Sequence, residues 1–307
     1  MKNLFIIGNG FDLSHGMKTS YEDFHEYLKS EYPEATESKP ILPQCNINPD
    51  GSVDCSDIES ISLLLYVINE IESKYGEWKN FEESLGYLDF GAIFDYLPYR
   101  DDSWKEMYDN TDLADSISIA IKKISIFFNN WIDTININKS IQIKKDFVKL
   151  INKKCDVFLN FNYTQTLEKL YLINNVCHIH GKQGEILVFG HGNNDSSYNY
   201  NLVHYTGAED ILEHTHNYLK KDTNKAIKDN KDFFYEHLIS IDNIYSYGFS
   251  FAKVDEIYIK EICNILSTEN ITWYLNDYEN IDKRKSFIET IRKCGFKGKF
   301  ETYNISK

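Results

Sequence analysis

The chain has 307 residues, 42% hydrophobic and 26% charged, with 22 Tyr and 19 Phe; this suffices for one large α/β domain with insertions or two modest ones, and excludes a disordered chain. Forty-seven acidic residues against 33 basic ones give a net charge of −14, a field that repels polyanions and argues against general nucleic-acid binding. The six cysteines are scattered without a C-x-x-C pair, which argues against a zinc knuckle and a disulfide framework and fits a reducing cytoplasm, and no stretch approaches the ~18 apolar residues of a membrane span.

In chain order, the apolar run Leu4–Ile7 stops at Gly8-Asn9-Gly10. A short run closed by glycines reads as a buried strand, and the glycines let a ligand approach the backbone. Lys2 followed by this run is too short an apolar stretch for a signal peptide. Thr19 and Ser20 as caps, with Glu22 and Asp23 after them, signal a helix. Strand, glycine turn and helix is the arrangement that aims amides at a phosphate. The full G-x-G-x-x-G pattern fails at Leu13, and an ordinary strand-to-helix connection explains the stretch as well.

Residues 33–56 carry four prolines and Gly51 and read as a loop. Apolar spacing then predicts helices over 58–75, from about 78, over 113–135 and over 144–151. Val157–Leu159 is a strand ending at Asn160-Phe161-Asn162, followed by a helix over 164–172. Strands are expected at 176–180, 186–189, 243–247, 271–275 and 300–303, with helices over 255–266 and 282–294. The expectation is one α/β domain spanning 1–307, a Rossmann-like, mainly parallel sheet with helices on both faces. A large helical insertion occupies 35–145 and a second, mostly helical one 194–240.

Polar residues follow the expected strand ends: Asn9 and Asp12, Asn160 and Asn162, His180, His191 and Asn193, and Ser250. In an open parallel sheet those ends line the ligand crevice. Their amides, imidazoles and glycines suit a neutral or anionic organic ligand. Strand spacing places His178 and His180 on one face, but no carboxylate or cysteine nearby in sequence completes a ligand set, so no metal is expected. Plainer readings stand beside these: Asn160 and Asn162 as caps of the next helix, and Gly248–Ser250 as a simple turn. No G-x-S-x-G elbow or P-loop signature occurs.

Several blocks together carry a resemblance: GNGFDLSHGMKTSYEDF (8–24), Trp78–Glu82, FLNFNYTQTLEKLY (158–171), HIHG (178–181), FGHGN (189–193) and YGFSFAKVDEIYIKEI (247–262). They resemble, in order, segments of the AbiH family of phage abortive-infection proteins, which in turn look like distant relatives of SIR2-type NAD-binding enzymes. That resemblance implies a SIR2-like domain. It puts Gly8-Asn9-Gly10 at the phosphate loop, Asn162 at the catalytic asparagine, His180 at the catalytic histidine, and Gly248 and Ser250 at the cofactor-contacting turn. With Phe11 and Asp12 these glycines, Asn9 and Ser250 form the expected NAD-binding set. The chain departs from sirtuins at Thr164, where they carry Asp, and in lacking their zinc cysteines. Protein deacetylation is therefore disfavoured.

The implied activity is cytoplasmic phage defence by hydrolysis of NAD at the nicotinamide–ribose bond. Such cleavage develops positive charge on the ribose, as in glycoside hydrolysis. Asn162 would position ribose or water, His180, of ordinary pKa near ~6.5, would act as general base, and Asp12 would bind a ribose hydroxyl or orient the site. ADP-ribosyl transfer and a non-enzymatic nucleotide sensor are the alternatives. A phage-encoded trigger and a second copy of the chain are the further partners this role admits.

Overall fold

The computed structural model describes residues 1–35, 39, 41–75, 78–138, 140–194 and 205–305. The chain divides into two compact units, one made of residues 1–20, 132–188 and 222–307 and the other of 21–131 and 189–221.

The first unit is built on strands β1 (Asn3–Ile7), β2 (Val157–Asn160), β3 (Val176–His178), β4 (Asn243–Tyr247), β5 (Thr272–Asn276) and β6 (Lys299–Tyr303). All pair in parallel, in the order β3-β2-β1-β4-β5-β6. This is the doubly wound, Rossmann-like order, in which the chain leaves β1 in both directions and the switch point lies between β1 and β4. Alternation along each strand feeds two cores. Leu4, Ile6, Val157, Leu159, Ile244 and Trp273 pack on one face with Tyr258, Ile259 and Ile262 of α5 (Glu256–Ile265) and Phe287 and Ile291 of α6 (Ile281–Lys293). Phe5, Ile7, Phe158 and Tyr245 pack on the other with α1 (Asn9–Ser14), α2 (Lys145–Leu150) and α3 (Thr166–Tyr171). Helix α4 (Thr223–Asp229) adds Ala226 to the first core.

Register is reinforced by a row of stacked rings. Phe158, Phe5, Tyr245 and Tyr274 are mutual cross-strand partners, with successive centroids 5.1, 4.9 and 4.6 Å apart. Cross-strand aromatic pairs each contribute roughly 0.2–1 kcal/mol, and a one-residue slip would lose all three.

The second unit is mainly helical, with helices at Tyr21–Glu31, Asp57–Tyr75, Ser103–Lys122 and Glu209–Tyr218. Phe24 anchors its core, touching Trp78, Phe81, Phe128 and Trp131 edge-on or tilted. Four sequence expectations change. The helix expected over 113–135 is two, Ser103–Lys122 and Ile124–Thr134, with the Lys123 amide at the break reaching back only three residues, to the Ala120 carbonyl at 3.3 Å. The helix expected from residue 78 is only a short 3₁₀ turn, Trp78–Asn80, and one turn of α-helix, Phe81–Ser84. The proline-rich stretch contains an antiparallel hairpin, Cys45–Ile47 with Val53–Cys55, and Cys45 and Cys55 are disulfide-bonded across it. No spacing rule flags two cysteines ten residues apart; the hairpin turn at Gly51, with φ +85°, brings them opposite. Finally, residues 186–189 do not join the sheet; the nearby ladder contact is a lone bridge between His191 and Lys220. Part of the expected 194–240 insertion, residues 195–204, lies outside the described residues. Among the described residues no helix is long and apolar enough to cross a membrane.

Candidate functional site

The glycine turns after β1 and β4 meet at the switch point. Gly8 N–H donates to the Tyr247 carbonyl at 3.0 Å and Gly10 N–H to the Gly248 carbonyl at 2.9 Å. A Cβ on Gly8 would lie 2.6 Å from Gly248 O and Phe249 Cα, and one on Gly248, at φ +65°, would lie 2.2 Å from Phe11 N. Backbone-on-backbone packing therefore explains these glycines. Asn9 clamps the incoming loop: its Nδ2 donates to Thr19 O and its Oδ1 accepts from Thr19 Oγ1, both at 2.7 Å. Phe11 is fully buried among Phe147, Tyr171 and Tyr247. Ser250 is exposed, and the next residue, Phe251, holds φ +55° while buried against Phe249 and Phe287. An aromatic residue in the left-handed region costs about 1–3 kcal/mol, so packing over-determines this turn.

Asp12 lies in the first turns of α1 and is fully buried. The Thr164 hydroxyl donates to its Oδ2, and Thr166 Oγ1 sits 3.0 Å from that hydroxyl. Its Oδ1 has no hydrogen-bond partner among the described residues. The turn that carries Thr164 is shaped by Asn160, whose Oδ1 accepts the Asn162 amide N–H at 3.1 Å. Asn162 does not cap α3. The residue is 6% exposed, and neither its carboxamide nitrogen nor its oxygen has a geometrically formed hydrogen bond among the described groups. It adjoins Asp12 and favours the carboxylate form of that residue. Burial nevertheless dominates and pushes the Asp12 carboxyl up to about 6, against the lowering influence of Thr164, Thr166, Asn162 and the charge of His178.

The two histidines of HIHG part company, which corrects the expectation that they share a face without carboxylates. β3 ends at His178, and His180 sits in the turn beyond it. His178 Nε2 is 2.6 Å from Glu168 Oε1 of α3. His180 is buried, with Nε2 3.1 Å from the Tyr258 hydroxyl and 3.8 Å from Asp255 Oδ1. Phe161 presents its edge to the His180 ring at 5.3 Å and also contacts Phe249, 4.3 Å away. Contacts thus link Gly8 to Phe249, Phe249 to Phe161 and Phe161 to His180, while Asp12 adjoins Asn162. Among the described residues no group of three His, Cys, Asp or Glu side chains is arranged to hold a metal.

A family model described as bacteriophage abortive infection AbiH matches residues 4–277. The chain belongs to the AbiH family. No curated protein and no solved structure matches it. AbiH membership supports a role in phage abortive infection.

Two further AbiH-like segments lie in the second unit. Trp78 stacks on His25 at 4.2 Å, and Glu82 accepts from the Tyr21 hydroxyl at 2.8 Å and from Lys221 Nζ at 3.0 Å. His191 and Asn193, expected at a strand end, instead knit this unit together. Asn193 Nδ2 donates to Gly86 O at 2.7 Å. His191 Nδ1 accepts from Asn193 N–H while its Nε2 donates to His216 O, which fixes a neutral tautomer. Burial lowers the His191 and His216 rings to about 4. Sequence reasoning missed Glu168, Thr166, Asp255 and Tyr258. Asp255 and Tyr258 stand three apart at the start of α5, a spacing that places two side chains on one helical face, and that was the available signal.

Proposed function

We propose that this AbiH protein defends by cleaving NAD, or a closely related nucleotide, at the nicotinamide–ribose bond. The observation that carries the reading is the Asn162 carboxamide, buried beside the Asp12 carboxyl with neither polar atom hydrogen-bonded. Leaving a buried polar group unbonded costs roughly 1–3 kcal/mol, and such a group at the carboxyl ends of a doubly wound sheet supports the reading that a polar ligand binds there. A ribose, with adjacent hydroxyls that both donate and accept, matches a carboxamide next to a carboxyl.

In the reaction, water attacks the anomeric carbon, the nicotinamide leaves with the bonding pair, and the water's proton passes to a base. Asn162 orients the ribose or the water. His180 takes the proton, with Tyr258 and Asp255 beside its Nε2 to hold the ring. Asp12, ionised near neutral pH, faces the positive charge that develops on the ribose. The Gly8 and Gly10 amides are already given to the Tyr247 and Gly248 carbonyls, and Asn9 and Phe11 are engaged in packing. Ligand recognition therefore falls chiefly on Asn162, His180 and Asp12, with Gly248 and Ser250 at the rim.

Incubating the purified chain with NAD and infected-cell lysate, as a source of trigger, and measuring nicotinamide by chromatography tests this. Release by wild type and not by Asn162→Ala is expected. ADP-ribose binding without nicotinamide release would favour the sensor reading instead, and equal release by the two would overturn the role given to Asn162.

A further inference from the structure

Asn162 is the residue on which the proposed cleavage depends, and its position is set by a short turn that has no regular secondary structure. Thr164 and Asp12 grip that turn from the α1 side. His178 grips it from the other. The His178 side chain is 5% exposed, and its two ring nitrogens face two acceptors: Nε2 is 2.6 Å from Glu168 Oε1, and Nδ1 is 3.2 Å from the Asn162 carbonyl oxygen. The Asn160 Nδ2 group is farther, 3.5 Å from Nδ1. A neutral imidazole owns one N–H and can serve only one of the two acceptors. The shorter of the two Nδ1 contacts is to the Asn162 carbonyl, so the ring donates there from Nδ1 while Glu168 holds it at Nε2.

Resting on the reading that Asn162 acts on the ribose, we infer that His178, clamped by Glu168, is a positioning residue that fixes the Asn160–Thr164 turn and so aims the Asn162 carboxamide. Glu168 reaches His178 from α3, the helix that directly follows the turn, so strand β3, the turn and α3 are tied at one ring. Without the clamp, the Asn162 carbonyl loses its donor, and the turn is held from the Asp12 side alone. Misplacing a reacting group by about 1 Å costs on the order of 10²-fold in rate. The loss falls on turnover, because the carboxamide's aim matters most where the ribose reacts.

The test uses the full chain with NAD and infected lysate, with turnover expressed per folded protein from a thermal melt. The expected result is that His178→Phe and Glu168→Ala lower kcat about 10²-fold with KM within about threefold of wild type. Glu168→Gln, which still hydrogen-bonds Nε2 and leaves Nδ1–H for Asn162, should stay within about threefold. A packing role alone would lower the melting temperature and leave kcat per folded molecule unchanged, and that result overturns the inference. Should His178→Phe fail to fold, His178→Asn stands in; its Nδ2 reaches the Nδ1 position, so it should retain more turnover than Glu168→Ala. Asn162→Ala separates the two levels. If it abolishes turnover while the His178 and Glu168 variants remain active, the inference falls and the cleavage reading stands. If Asn162→Ala itself turns over normally, the reading falls and the inference with it.

Discussion

Asp12 is a fully buried carboxyl whose hydrogen bonds do not offset its desolvation, and this has a consequence for stability. Its folded pKa, about 6, lies above the unfolded value of 3.8. Between those values the folded state binds more protons, so stability falls as pH rises through the window and the penalty is complete above about 6. About two units at about 1.36 kcal/mol each makes it roughly 3 kcal/mol. Asp12→Asn, which keeps an acceptor for the Thr164 hydroxyl, should therefore raise the urea midpoint at pH 7.5 and have little effect near pH 3.5, while impairing the proposed cleavage. Equal effects at both pH values would place the penalty elsewhere. His191 and His216 act in the opposite sense. Their folded pKa values, about 4, lie below the ordinary 6.5, so their contribution is complete above 6.5 and is lost as pH falls towards 4. Melts of the wild type across that range should show a decline that His191→Asn reduces.

At the scale of elements, the junction of β1 and β4 is the most constrained place in the first unit. Gly8→Ala and Gly248→Ala each push a methyl into backbone rather than into a movable side chain. Each should cost about 1–3 kcal/mol as overpacking, with a further charge at Gly248 for its positive φ. Because both act on one contact, the double variant should cost less than the sum; strict additivity in denaturant titrations would contradict the packing account. The sequence made this junction legible only in part. Gly8, Gly10 and Gly248 announced turns, and Leu4–Ile7 and Asn243–Tyr247 announced strands, because apolar runs and glycines are local signals. That the two turns would dock on each other, and consume the amides of Gly8 and Gly10, depends on strand order, which no local pattern encodes. The same holds for HIHG. Spacing suggested one face, but β3 stops at His178, and the partners Glu168 and Tyr258 come from helices on opposite faces of the sheet.

Over the whole molecule, the class was readable and the division of labour was not. Short apolar runs alternating with amphipathic helices predicted the parallel sheet, and the structure has six parallel strands in doubly wound order. The hairpin of Cys45–Cys55 and the absence of a strand at 186–189 escaped prediction, because three-residue strands and extended loops have the same local composition. The family match extends over both units, residues 4–277, so AbiH function is expected to need the helical unit as well as the sheet. The most direct test of the central claim is NAD in infected cells, measured by chromatography alongside phage yield. Cells carrying the wild type should lose NAD and accumulate nicotinamide as phage growth stops. Asn162→Ala and His180→Ala should keep NAD and lose protection, with His180→Ala lowering turnover by about 10²–10⁴-fold. Wild-type cells that block phage with their NAD intact would contradict the account.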